Sequence, residues 1–140
     1  MRPNSLADTG ALLGLLDRND RWHAACVDAF GSLRPPLLTS DAVLTELFHL
    51  VGDRAKDVES TWRLVRSGAL ELGRITTDDW DELERLMRQY QDRPMDYADA
   101  TLVLLARREK ITTIFTVDHD DFETYRIEGK RRFRIVPSRS

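Results

Sequence analysis

The chain has 140 residues, 41% hydrophobic and 32% charged, enough for one buried core and too well mixed for a disordered segment. With 24 acidic and 21 basic residues the net charge is −3, which excludes a globally basic nucleic-acid binder but leaves room for a local basic patch. The one cysteine, Cys26, excludes an intrachain disulfide framework and a cysteine-based zinc site.

Residues 5–8 read as a short first strand and 10–17 as a short helix. The apolar run at 11–16 is far too short to span a membrane. It lies behind Asp8 with no small-residue cleavage site in place, so no signal peptide is read and a cytoplasmic domain is expected. Asp20 opens a second helix in which Trp22, Ala25, Cys26, Ala29 and Phe30 recur at spacings of three and four. Cys26 on that apolar face reads as core. Pro35 and Pro36 break the pattern, and Leu37, Leu38 and Thr39 form a brief buried strand. Ser40 or Asp41 caps the next helix, whose apolar stripe is Val43, Leu44, Leu47, Phe48 and Val51.

A helix over 57–67 ends at Gly68, and 69–75 alternates like a strand. Thr76 or Thr77 then caps a helix with acids in its first turns and Arg85 and Arg88 later, as the helix dipole prefers. Its expected core face is Trp80, Leu83, Met87 and Tyr90. Pro94 stops it. The most apolar helix covers 96–108, a strand rich in β-branched residues covers 112–117, and a last short strand covers 133–136. Short strands alternating with helices predict a single α/β domain over 1–140 with a mostly parallel sheet.

Most of the acids sit where helices expose charge; four do not. Asp8 and Asp118 each end a strand, and the carboxyl ends of strands form the ligand crevice of a parallel α/β sheet. Asp99 falls within an apolar stripe with Met95, Leu102, Val103 and Ala106, where an isolated charge is costly. Glu46 is the only acid on its helix between Asp41 and Asp53. Simpler roles exist for each: helix caps for Asp8 and for Asp96 with Asp99, an Asx turn for Asp118, a solvated flank for Glu46. One shared cluster accounts for all four. Hard carboxylate oxygens suit Mg²⁺ or Mn²⁺, and clustered acids repel one another unless cations neutralise them. His23, His49 and His119 are scattered, so a zinc site is not expected. No glycine-rich phosphate loop and no nucleophile elbow is present.

Four segments carry these acids: Leu6-Ala-Asp-Thr-Gly-Ala-Leu-Leu13, Thr39-Ser-Asp-Ala-Val-Leu-Thr-Glu-Leu47, Met95-Asp-Tyr-Ala-Asp-Ala-Thr-Leu-Val-Leu-Leu-Ala106 and Ile114-Phe-Thr-Val-Asp-His-Asp-Asp-Phe122. In content and order they resemble the acidic motifs of PIN-domain ribonucleases, and the length is similar to that of bacterial VapC-type toxins. The resemblance implies a three-layer α/β/α sandwich. It also implies a Mg²⁺- or Mn²⁺-dependent endoribonuclease with Asp8, Glu46, Asp99 and Asp118 as catalytic and metal-binding residues. Thr9 and Thr116 match positions where the family often carries a supporting hydroxyl. Asp96 and Asp121 are possible further acids. An RNA substrate, a homodimer and a cognate antitoxin are implied with it. The polar start, Arg2 to Ser5, departs from the more apolar first strand of the family.

An acidic crevice must still attract a polyanion. The basic tail, with Arg131, Arg132 and Arg134 at its centre, is the expected RNA contact, set against a solvated edge strand blunted by charge. Trp22, Trp62 and Trp80 read as core, so no exposed stacking partner is expected. Three other readings stand beside this one: an RNA-processing nuclease outside any toxin–antitoxin pair, a non-catalytic interaction module, and, from the Asp-Thr-Gly at 8–10, an aspartic protease. The helical pattern downstream argues against the last.

Overall fold

The computed structural model describes residues 2–139. Five three-residue strands form one sheet: β1 (Ser5–Ala7), β2 (Leu37–Thr39), β3 (Leu70–Leu72), β4 (Thr113–Phe115) and β5 (Arg134–Val136). The helices are α1 (Thr9–Leu16), α2 (His23–Ser32), α3 (Asp41–Val51), α4 (Ala55–Arg66), α5 (Trp80–Gln89), α6 (Tyr97–Glu109) and α7 (His119–Thr124). A 3-10 turn, Thr77–Asp79, leads into α5. None of the described helices is long and apolar enough to cross a membrane.

The strand order is β3-β2-β1-β4-β5 and every pairing is parallel. The chain moves from β1 outward to β2 and β3, then returns past β1 to β4 and β5. Right-handed crossovers therefore put α1 to α4 on one face and α5 to α7 on the other. In agreement, α1 packs against α2, α3 and α4, and α5 packs against α6. Strands covered on both faces read as mostly apolar runs. Leu6 of β1 lies in register with Leu38 and Ile114, and all three are buried.

Helix α6 fills its face of the sheet. Every residue from Ala98 to Ala106 is buried. Ser40 caps α3 by accepting from the Val43 N–H, and its hydroxyl meets that of Thr101 on α6 at 2.7 Å. Thr76 caps the 3-10 turn through a reciprocal pair with Asp79. The capping positions are thus the first of each pair of sequence candidates.

Several elements differ from the sequence reading. Helix α2 starts at His23, because the Asp20 carboxylate accepts from the Trp22 N–H and holds the preceding residues in a turn. Helix α4 starts two residues early, at Ala55. The strands over 69–75 and 112–117 shorten to three residues each, and α7 follows Asp118 where no helix was expected. Trp80 and Trp62 are surface residues, 61% and 50% exposed. Leu83 and Leu86 are the buried residues of α5; Met87 and Tyr90 are half-buried. Trp80 opens α5, and its end of the apolar stripe overhangs the core. Cys26 is fully buried as expected, and burial pushes its thiol up to about 11.

Gly73, just past β3, faces α6 closely. A Cβ there would lie 2.5 Å from Cδ2 of Leu105, which is itself buried. Gly73→Ala is expected to lower stability by about 1–3 kcal/mol in urea denaturation, because the buried Leu105 side chain must give way to the added methyl. An unchanged midpoint would show that α6 yields without strain.

Candidate active site

Asp8 directly follows β1, and Asp118 follows β4 after a two-residue extension. The two strands are hydrogen-bonded neighbours, while β2 lies on the other side of β1. The chain leaves β1 and β4 in opposite directions, and the crevice opens at that switch point. Thr116 ties the two ends together. Its hydroxyl donates to Asp8 Oδ2 at 2.7 Å and accepts from the Asp118 N–H at 3.0 Å. Asp8 occupies the N-cap position of α1, yet its side chain makes no cap hydrogen bond.

Asp99 enters from the first turn of α6. Asp96 is the true cap of that helix, accepting from the Asp99 N–H at 2.8 Å. The Asp99 carboxylate instead receives the Tyr125 hydroxyl at 2.8 Å. Tyr125 is fully buried, with Tyr90 and Phe122 packed edge-on against its ring. Asp99, Asp118 and Asp121 each present a carboxylate oxygen, all within 4.8 Å of one another. Asp8 stands behind this trio at β1. Glu46 is half-buried on α3 and lines an open groove of about 900 Å³ together with Asp96.

The electrostatics follow from burial and repulsion. Asp8 is pushed up to about 6, mainly by burial and further by Glu46 and Asp96, while the Thr116 hydrogen bond opposes the rise. Asp118 rises to about 7, from burial first and then from Asp121. Asp99 rises to about 8 through burial, with Asp8 and Asp96 adding to it and Tyr125 opposing. The Tyr125 phenol is raised too, chiefly by burial and then by the Asp99 charge. Thr9 is buried and its hydroxyl has no hydrogen-bond partner.

This donor set fits a hard divalent cation. It consists of carboxylate oxygens at one point, it is destabilised when charged and empty-handed, and it has an orphaned hydroxyl beside it. Asp121 belongs to the compact trio, a larger part than sequence alone gave it. Two partners escaped the sequence reading. Tyr125 looks like any core aromatic. Arg93, next to Pro94, binds Asp121 at 2.8 Å and approaches Asp120 at 3.9 Å.

The basic tail lies elsewhere. Arg134 begins β5 opposite Thr113, so it stands at the amino end of the sheet, away from the crevice. Arg131 and Arg132 precede it, in a loop whose Ile127 carbonyl receives Arg107 of α6. Arg107 lies eight residues beyond Asp99, about 12 Å along the helix. These three arginines are exposed. Arg93 binds Asp121, and Arg21 and Arg139, the latter at the end of the same basic tail, line a recess with Asp118.

Raised acids bind more protons in the folded chain than in the unfolded one, so stability is greatest below the shifted values and falls as pH rises through them. The metal-free protein is expected to melt progressively lower from about pH 4, where the unfolded carboxylates ionise, to about pH 8, where the last of the folded ones does. Asp99→Asn removes one charge at nearly constant shape. It should flatten that slope and melt at least as high as the wild type at the alkaline end. A flat wild-type profile would mean that the acids do not share one site.

Comparison with known proteins agrees with this geometry. The chain matches the family model described as PIN domain over residues 6–128. It is 34% identical to Ribonuclease VapC26 of Mycobacterium tuberculosis over 134 residues, covering 94% of this chain and 99% of that protein. The crystal structure of Mycobacterium tuberculosis VapC20, described as a sarcin–ricin loop cleaving toxin, superposes with a TM-score of 0.73 at 20% identity, over 84% of this chain and 93% of that one. The α/β sandwich, the parallel sheet and the family model agree, and the chain belongs to the PIN-domain family.

Proposed function

We propose that residues 1–140 form one metal-dependent endoribonuclease domain, the toxin of a toxin–antitoxin pair, acting in the cytoplasm on an RNA substrate. The observation that carries the reading is the meeting of the buried Asp8 and Asp99 with the half-buried Asp121 and the exposed Asp118 at the switch point, in a chain matched over 94% of its length by Ribonuclease VapC26. A cognate antitoxin and a homodimer are part of the same proposal.

Asp8, Asp99, Asp118 and Asp121 would hold the ion, with Glu46 close enough to act on the charge of Asp8. Mg²⁺ or Mn²⁺ suits these oxygen donors. A bound divalent cation supplies Lewis acidity toward the attacking water and neutralises charge on the phosphoryl oxygens. The chain's own residues prepare the place. Thr116 fixes the Asp8 carboxylate, and Tyr125 fixes that of Asp99. Arg93 balances Asp121 from the solvent side. Protons and cations compete for the same oxygens, so metal uptake releases protons.

Asp8→Ala should abolish Mn²⁺-dependent cleavage of a structured RNA, with a loss beyond the roughly 10–100-fold typical of an outer-shell change. Chelation should silence the wild type likewise. Cleavage by Asp8→Ala at the wild-type rate would overturn the assignment and favour an interaction module.

Tyr125→Phe keeps the ring and removes the donor to Asp99. Its expected effect is a roughly 10–100-fold weaker Mn²⁺ affinity, read by calorimetry and by a smaller metal-induced rise in melting temperature. Unchanged affinity would make Tyr125 a packing residue only.

A further inference from the structure

Trp80 and Tyr97 are the first residues of α5 and α6, and they are 61% and 46% exposed. Both line the open groove that also holds Glu46 and Asp96. Among the described residues neither ring has an aromatic partner, whereas Trp22 packs on His119 and Trp62 on Phe48. Folding gains little from leaving two large rings in water at one place.

The groove is continuous with the acid site. Tyr97 adjoins Asp96, whose carboxylate holds the Asp99 N–H. Its charge is wrong for a phosphate chain, because Asp41, Glu46 and Asp96 line it. A neutral base meets no such repulsion, and every base has a π-face for an aromatic ring. His49 and Thr77, on the groove wall, offer polar atoms to base edges. The arginine flank is a separate recess, where Arg21 and Arg139 stand beside Asp118 and Asp120, Arg139 being paired with Asp120 and Glu123.

We propose that Trp80 and Tyr97 form a stacking platform that takes an unpaired base of the RNA next to the acid cluster, with the sugar–phosphate chain turned toward the arginine flank. The proposal rests on the ribonuclease reading and extends it to substrate form: paired RNA keeps its bases stacked internally and offers no free face.

The test compares wild type, Trp80→Ala and Trp80→Phe on an unstructured oligoribonucleotide, its full duplex, and the same oligomer with single abasic positions. Trp80→Ala should raise KM by about 5- to 150-fold with kcat nearly unchanged, and Trp80→Phe should restore most of the loss. One abasic position should impair the wild type yet leave Trp80→Ala indifferent. The duplex should be a poor substrate for all three. A wild-type KM in Trp80→Ala, or an equal abasic penalty in both proteins, overturns the platform. So does a shift from dimer to monomer with KM unchanged, which would give the groove to a second copy of the chain. Quenching of tryptophan fluorescence by the oligomer separates the two readings. If no RNA is cleaved, the ribonuclease assignment falls, but quenching that is lost in Trp80→Phe still supports the platform. Absence of quenching overturns it.

Discussion

Mutual repulsion among buried carboxylates is the constraint from which the rest of this structure follows. Asp8 and Asp99 are almost completely enclosed; Asp8 raises the proton affinity of Asp99, and Glu46 and Asp96 raise that of Asp8. Such groups are tolerated only when something positive, or a proton, shares the cavity. Among the described residues the fixed cation tied directly to the trio is Arg93, which reaches Asp121 from the solvent side. The innermost acids have hydroxyl partners instead, Thr116 and Tyr125. A hydroxyl orients a carboxylate without cancelling its charge. The fold thus keeps its inner oxygens aligned and electrostatically unsatisfied, which is the condition a metal site needs and a purely structural core would avoid.

That arrangement depends on the order of very short strands. Three residues of β1 and three of β4 suffice, because their parallel pairing fixes the height at which Asp8 and Asp118 emerge. Helix α6 supplies the third direction. Its complete burial between Ala98 and Ala106 prevents rotation of Asp99 toward solvent. Tyr125 is equally constrained, with two rings edge-on at 5.1 Å, so its hydroxyl has one place to point. Packing here does the work of positioning, and the polar contacts register the result.

The parts of this design visible in the sequence are those with a periodic or positional signature. An acid after a β-branched strand and an acid within an apolar helical stripe are anomalies of pattern, and both lead to the crevice. The α/β class followed from alternation alone, and the cap of α6 from Asp96 at the right spacing. Other parts have no such signature. Trp80 sits at helical spacing from Leu83 and Met87, yet periodicity does not tell where the core ends along a helix. Tyr125 is one aromatic among several until the return of the chain after α7 places it under Asp99. The tail arginines were legible as a charge cluster, but their position depends on β5 running parallel to β4, which sends them to the other end of the sheet.

The slightly acidic net charge of −3 conceals a division of labour. Many cations are spent on local pairs: Arg108 with Asp79, Arg107 with Glu82, Arg139 with Asp120 and Glu123. The surroundings of the crevice are lopsided even so, with Arg21 and the already paired Arg139 beside Asp118 and acids along the aromatic groove. A polyanion approaching this surface meets attraction on one flank and repulsion on the other. Only its uncharged bases gain by entering the repulsive side. The same carboxylates that demand a cation at the centre thus impose an orientation on whatever nucleic acid is bound there.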